Sequence, residues 1–230
     1  MAGIALLSGG LDSTLALALY LEKDSINLAL TFDYGQRANE KEVSAAHKIS
    51  EYYDIPHKVI ALPFLQEQTR SALVNRSEDL PVLKFNELDD LSQARESAHQ
   101  VWVPNRNGLF MNIAAVFAEN LGGPSALITG FNQEEAATFP DNSVEFIEAM
   151  NRCLSYSTQE KVIVVSPTSM MTKTEIVREG VRLKVPFEHI WSCYESKENL
   201  CGQCESCLRL KRALLRNNAL GLIQQLFGAQ

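Results

Sequence analysis

The chain has 230 residues, 46% of them hydrophobic and 21% charged, with a formal net charge of −7. That is enough chain for a substantial core and one to two domains, and the composition excludes a disordered or fibrous protein. The acidic balance argues against extended binding of nucleic acid through a basic face, and no apolar run approaches the ~20 residues needed to cross a bilayer.

Met1-Ala2-Gly3 passes directly into the apolar run Ile4-Ala5-Leu6-Leu7 with no basic leader, so a cytoplasmic protein is expected. Ser8-Gly9-Gly10-Leu11-Asp12-Ser13-Thr14 comes next, followed by Leu15-Ala16-Leu17-Ala18-Leu19. Strand, glycine turn and helix start form a ready anion site, because glycine allows close backbone approach and the first helical amides are unpaired. Ser8, Ser13 and Thr14 add hydroxyl donors, so phosphate or pyrophosphate is the natural guest. The spacing is neither that of a P-loop nor that of the dinucleotide fingerprint. Ser-Gly-Gly-Leu-Asp-Ser instead resembles the PP-loop of ATP pyrophosphatases, which adenylate a substrate and release pyrophosphate.

A helix over about residues 12 to 23 leads to a second strand, Ile26 to Phe32, which ends in the polar loop Asp33-Tyr34-Gly35-Gln36-Arg37. A helix over Glu40 to Tyr53 and a third strand, His57 to Leu62, follow. Strands alternating with helices predict parallel βαβ units with ligands at the strands' carboxyl ends, so Ser8 and Asp33 should share one rim. The polar stretch 66–100 reads as an insertion or lid with partial helical structure. Asn105-Arg106-Asn107 stands at the entrance to a helix over Leu109 to Glu119, where it is either a plain capped start or a recognition group for phosphate or a heterocycle edge.

Ala126 to Gly130 predicts a fourth strand running into polar residues up to Glu135. Phe139-Pro140-Asp141-Asn142 is a turn before a helix from Val144 to Ser155, and Val162 to Pro167 is a fifth strand. Thr172 and Glu175 make a capping box. Lys173 beside them sits where the helix dipole disfavours a cation, and so points to an anionic ligand.

Cys193, Cys201, Cys204 and Cys207 are separated by seven, two and two residues. Four thiolates in a non-secreted chain indicate a closed structural zinc site, with an iron–sulfur cluster as the rival and disulfides disfavoured. Cys153 stands apart and reads as a small buried hydrophobe. Arg209, Lys211, Arg212 and Arg216, at helical spacing, read as a solvated face rather than a nucleic-acid site.

The PP-loop, Phe32 to Arg37, Val103 to Asn107, Phe139-Pro140-Asp141, Thr172 to Ile176 and the tail from Trp191 to Cys207 together resemble the 7-cyano-7-deazaguanine synthase (QueC) family of the queuosine pathway. The resemblance runs nearly end to end. It implies an α/β fold with a Rossmann-like parallel sheet of about five strands and helices on both faces. A PP-loop domain over 1–185 would precede a small helical zinc-binding region over 186–230. It further implies a ligase that converts 7-carboxy-7-deazaguanine, ammonia and two ATP to the nitrile through successive adenylations. ATP with magnesium would sit on Ser8, Gly9, Gly10, Leu11, Asp12, Ser13, Thr14, Asp33 and Gly130, with Asp12, Arg106 and Lys173 as the catalytic side chains. Tyr34, Gln36, Arg37, Arg106, Asn107 and Asp141 are the expected substrate contacts. No nucleic acid or membrane partner is implied, and a homodimer is, with apolar Leu220 to Phe227 as a candidate contact.

The segment Glu134 to Ser143 departs from the family's usual glycine and tyrosine before Pro-Asp and cysteine and arginine after it. If these positions touch the base, substrate preference or a late step differs, which leaves the product open. Another PP-loop ligase, amidating or tRNA-thiolating, and a non-catalytic nucleotide- or zinc-binding module are the competing readings. Thiolation would need a reactive cysteine near the loop, whereas the clustered cysteines are spaced for a metal.

Overall fold

The computed structural model describes residues 1–228. Five strands, β1 (Ala2–Leu6), β2 (Ile26–Asp33), β3 (His57–Ala61), β4 (Ser125–Ile128) and β5 (Val162–Val165), form one sheet in the order β3-β2-β1-β4-β5. All four pairings are parallel. The chain leaves β1 toward β2 on one side and returns as β4 on the other. This puts the crevice that such sheets use for ligands at the carboxyl ends of β1 and β4.

Strand periodicity divides the core between the two faces. Ile4, Leu30 and Leu127 belong to one apolar cluster, and their neighbours Ala5, Ala29, Ala126 and Ile128 to the other. The first cluster is closed by α5 (Arg106–Glu119) and α7 (Val144–Ser157), through Met111, Ala114, Ala118, Ile147 and Leu154. The second is closed by α1 (Leu11–Leu21), α2 (Asn39–Tyr52) and α8 (Lys173–Arg182). α1 lies between the sheet and α8. This explains why its Leu and Ala residues run nearly all the way round instead of forming one stripe. Leu15 and Leu17 are fully buried, and each such side chain contributes about 1.5–3 kcal/mol.

The expected elements are present with small shifts. β4 and β5 stop at Ile128 and Val165. α5 begins at Arg106, three residues before the expected Leu109, because Asn105 turns the chain in a left-handed conformation (φ 52°). The 66–100 segment contains the end of α3 (Pro63–Gln68) and all but the last residue of α4 (Leu91–Val101). Ala72 donates to the Gln100 carbonyl, Val82 bridges to Cys204, and Asp89 pairs with Arg212, so the segment is anchored to the tail.

The tail is built from α9 (Glu205–Arg216) and α10 (Leu220–Phe227). Its buried residues Val185, Phe187, Ile190, Leu210 and Leu214 share one cluster with α1 and α8. Leu226 and Phe227 point into that cluster as well, which leaves Leu220 as the exposed apolar residue of α10. Cys153 is exposed, contrary to the expectation of a buried hydrophobe. α7 turns Ile147, Met150 and Leu154 inward, and Cys153 falls on its flank, outside that stripe. No helix among the described residues is long and apolar enough to cross a membrane.

Candidate active site and four-cysteine centre

A cavity of about 290 Å³ opens at the carboxyl ends of β1, β2 and β4. Its floor is the PP-loop. Gly9 has φ 78°, and a Cβ there would lie 2.7 Å from the Glu42 carbonyl oxygen, so both conformation and space demand glycine. Ser8 and Ser13 hydroxyls meet at 3.1 Å, and Ser13 also donates to the Gly10 carbonyl at 3.1 Å. No side chain caps α1, whose first turn, Leu11 to Ser13, lines the cavity. Its amides and the positive end of its dipole are thereby presented to a ligand. Gly130 closes the loop from the other side: a Cβ there would lie 2.4 Å from the Ser13 nitrogen.

Asp12 and Lys173, 161 residues apart, meet here. The Lys173 ammonium lies 2.5 Å from Asp12 Oδ2, with both side chains largely buried. Asn132 donates to the same oxygen at 3.2 Å. Burial pulls the Lys173 ammonium down, but Asp12 and Glu135 beside it outweigh burial and hold it above its ordinary value. Asp12 Oδ1 is buried with no hydrogen-bond partner. A buried carboxylate oxygen left bare beside a phosphate-type loop suits a divalent cation. Burial, and then the charge of Asp12, push the Glu135 carboxyl up.

The far lobe of the cavity is aromatic. Phe32 and Phe110 stack at 4.0 Å, and Tyr34 tilts against Phe110. Arg106 donates to the Tyr34 hydroxyl at 3.0 Å with its guanidinium over the Tyr34 ring. Glu42 also reaches this wall, its carboxyl raised by burial and partly restored by a hydrogen bond from Gln36. A flat heterocycle bearing an anionic group fits a lobe of rings and one cation.

Most of the expected residues come together here: Ser8, Gly10, Leu11, Asp12 and Ser13 on the floor, and Gly130 and Lys173 above them. Tyr34, Gln36, Arg37, Arg106 and Asn107 line the aromatic side. Four expected contacts stand off the wall. Gly9 supports the loop from behind, and fully buried Thr14 spends its hydroxyl on the Gly10 carbonyl. Asp33 accepts from the Gly35 amide, and Asp141 lies behind Arg106, its carboxyl raised by burial and opposed by that guanidinium. Gln36 lines the cavity, but its amide is engaged by Phe32, Tyr34 and Glu42, which makes it a staple of its loop. Arg37 is directed to the Asn75 and Glu78 carbonyls and to Glu195.

Arg209 and Arg212 are a correction. They were expected on a solvated face, but Arg212 is buried and Arg209 largely so, both pairing with Glu134 at 2.9 and 3.1 Å respectively. The face of α9 that carries them turns inward against α6 (Gln133–Ala136) and the 66–100 segment. Glu134 and Glu135, expected only as the polar end of β4 and as part of a segment that departs from the family, line the cavity, and Glu42 and Phe110, which the sequence reading did not single out, line it too. Each is an ordinary helix residue whose neighbours lie far away in sequence.

The four sulfurs of Cys193, Cys201, Cys204 and Cys207 lie within 4.8 Å of one another. Cys201 and Cys207 are 3.8 Å apart, matching the roughly 3.8 Å between sulfurs of a tetrahedron with metal–sulfur bonds of about 2.3 Å. Backbone amides point at the sulfurs: Glu195 and Cys201 at Cys193, Gln203 and Cys204 at Cys201. Four sulfurs so gathered, two of them met by backbone N–H groups, could hold a metal ion with no coordination position left open.

Comparison with known proteins shows the family. The family model for queuosine biosynthesis protein QueC matches residues 2–218. The chain is 54% identical over 213 residues to a 7-cyano-7-deazaguanine synthase of Pelotomaculum thermopropionicum, covering 93% of this chain and 96% of the relative. It is 49% identical over 216 residues to the synthase of the same description from Methanosarcina barkeri, covering 93% of each. Among solved structures, the NMN synthetase from Francisella tularensis is similar with a TM-score of 0.46 and 16% identity, over 95% of this chain and 84% of that one. With the match running through the PP-loop, the aromatic lobe and all four cysteines, the chain belongs to the QueC family of queuosine biosynthesis proteins.

Proposed function

We propose that the chain converts 7-carboxy-7-deazaguanine and ammonia to 7-cyano-7-deazaguanine at the expense of two ATP. The observation that carries the reading is the buried Asp12–Lys173 pair, set over an uncapped helix start in the cavity wall. ATP lies with its phosphates on Ser8, Gly10 and Ser13 and the α1 amides. Lys173 stays protonated, and it neutralises the charge that builds on the α-phosphate. Asp12 Oδ1 is the residue to hold magnesium, which when bound drains charge from the phosphate oxygens. The four cysteines hold zinc, which cross-links the tail and takes no part in the chemistry.

In the first half-reaction the substrate carboxylate attacks the α-phosphorus and pyrophosphate leaves, giving an acyl adenylate. Ammonia adds at the carbonyl carbon, AMP departs and a proton is released, leaving the amide. In the second half, the amide oxygen attacks the α-phosphorus of another ATP with loss of pyrophosphate. Loss of AMP and of the nitrogen-bound protons then forms the C≡N bond. Arg106, braced on Tyr34, orients the carboxylate, and the Phe32–Phe110 wall packs on the ring.

The chain works in the cytoplasm without nucleic acid, consistent with its −7 charge. It pairs as a homodimer through the shallow groove that holds exposed Val181 and Leu220. The test is incubation with ATP, magnesium, ammonium and 7-carboxy-7-deazaguanine, with nucleotide and base read by mass. AMP with nitrile is the expected result. AMP with amide alone would confine the departure from the family to the Glu134–Asn142 segment, and no AMP would overturn the reading.

A further inference from the structure

Glu134 is joined to three elements at once. Its Oε1 accepts the backbone N–H of Lys173 at 2.8 Å, at the first residue of α8. Its Oε2 accepts from Arg209 at 3.1 Å and from Arg212 at 2.9 Å, both on α9. The three side chains are 17%, 12% and 8% exposed, so water does little to screen the pairs. Each arginine is held from its other side as well, Arg209 by Glu205 and Arg212 by Asp89. Beside this hub, the Gln133 amide donates to the Met171 carbonyl at 3.0 Å, a second tie between the same two loops.

The amide that Glu134 takes belongs to the residue whose ammonium meets Asp12. Thr172 and Glu175 satisfy each other in the capping box, and Glu134 supplies the acceptor that the Lys173 amide would otherwise lack inside a helix start. We infer that Glu134 is a positioning residue for the reaction: it fixes the backbone of Lys173, and through Arg209 and Arg212 holds it in register with the helix that leaves the four-cysteine knuckle. Glu134 borders the cavity, but both its carboxylate oxygens are engaged by the Lys173 amide and the two arginines, so its effect on the reaction runs through Lys173. The inference rests on the role of Lys173 proposed above.

Two substitutions separate this from simple support of the fold. Glu134→Gln keeps an acceptor for one side of the hub but puts an N–H₂ against donors on the other. Glu134→Asp keeps the charge for both arginines and is one methylene too short to reach across to α8. A displacement of about 1 Å at a charge-stabilising group costs up to ~100-fold in rate. Both variants should therefore lose roughly tenfold in kcat, with the KM for ATP within about twofold of the parent. The decisive measurement is a double-mutant cycle with Lys173→Met, run below the melting transition of every variant. Acting through Lys173, either Glu134 substitution changes kcat less than about twofold once the lysine is gone. Independent, multiplicative losses would overturn the inference while leaving Lys173 in its role. An unchanged kcat in Lys173→Met alone would overturn the lysine's role and this inference together. Should Glu134→Gln fail to fold, Glu134→Asp, which leaves no arginine uncompensated, gives the same reading.

Discussion

The backbone N–H of Trp191 donates to the carbonyl oxygen of Gly9 at 2.8 Å. The tail that carries the cysteines is thereby strapped to the middle of the PP-loop. Two residues on, Cys193 is both a member of the four-sulfur cluster and part of the cavity wall. Knuckle and nucleotide loop are neighbours along a few bonds, so the first should govern the second.

Stripping the metal should therefore weaken ATP binding as well as stability. Closed thiolate sites contribute directly to folding. The expected outcome is one zinc per chain by elemental analysis. Its removal with a chelator should lower the melting temperature by roughly 5 °C or more, since about 1 kcal/mol corresponds to 2–4 °C at this size. Cys204→Ser should behave alike, whereas Cys153→Ser, on the exposed side of α7, should change neither metal content nor melting. Iron in place of zinc would point to the rival cluster.

Gly130→Ala tests the loop from the opposite side. A new Cβ 2.4 Å from the Ser13 nitrogen meets backbone and not a yielding side chain, so the start of α1 has to move. Calorimetric titration with ATP should show at least about a tenfold loss of affinity, as expected for displaced phosphate-binding amides. Unchanged affinity would mean that the phosphates lie elsewhere in the cavity.

The frame of the site was legible because its signals are local. Ile4 to Leu7 followed by Gly9 and Gly10 can be read within ten residues as strand, turn and helix, and the cysteines declare themselves by spacing. Thr172 and Glu175, a box closed over three residues, were equally plain. Arg209 and Arg212 were misread for the opposite reason. Helical spacing shows that they share a face with Glu205, but not that Glu134, 75 and 78 residues away, waits opposite. Phe110 and Glu42 look like ordinary helix residues until the sheet order brings them to the same rim. Long-range pairings of this kind are fixed by topology, which no short window contains.

Tyr34 holds Arg106 by a 3.0 Å hydrogen bond to its hydroxyl, and the ring lies under the guanidinium. Tyr34→Phe keeps the ring and removes only the bond. A hydrogen bond to a charged group is worth about 1.5–3 kcal/mol. Steady-state kinetics should show kcat/KM for the carboxylate substrate falling by roughly tenfold or more, with the KM for ATP little changed. A loss shared equally by both substrates would remove Arg106 from the base-binding lobe.

Glu135 gives the site a pH signature in stability. Burial, and then the charge of Asp12, raise its carboxyl above the ordinary value, with Lys173 only partly opposing them. A group whose pKa is raised on folding binds its proton more tightly in the native state. Its contribution is therefore complete below the unfolded value of about 4.3 and is lost as pH rises through the folded value. Above that point the native protein carries the cost of a buried carboxylate beside another. Glu135→Gln, neutral at every pH, should melt progressively higher than the parent as pH is raised from 5 to 8, and the difference should shrink toward the acid end. Melting curves across that range give the result directly. A difference that stays flat would show that the Glu135 carboxyl is ionised throughout, with Lys173 compensating it in full.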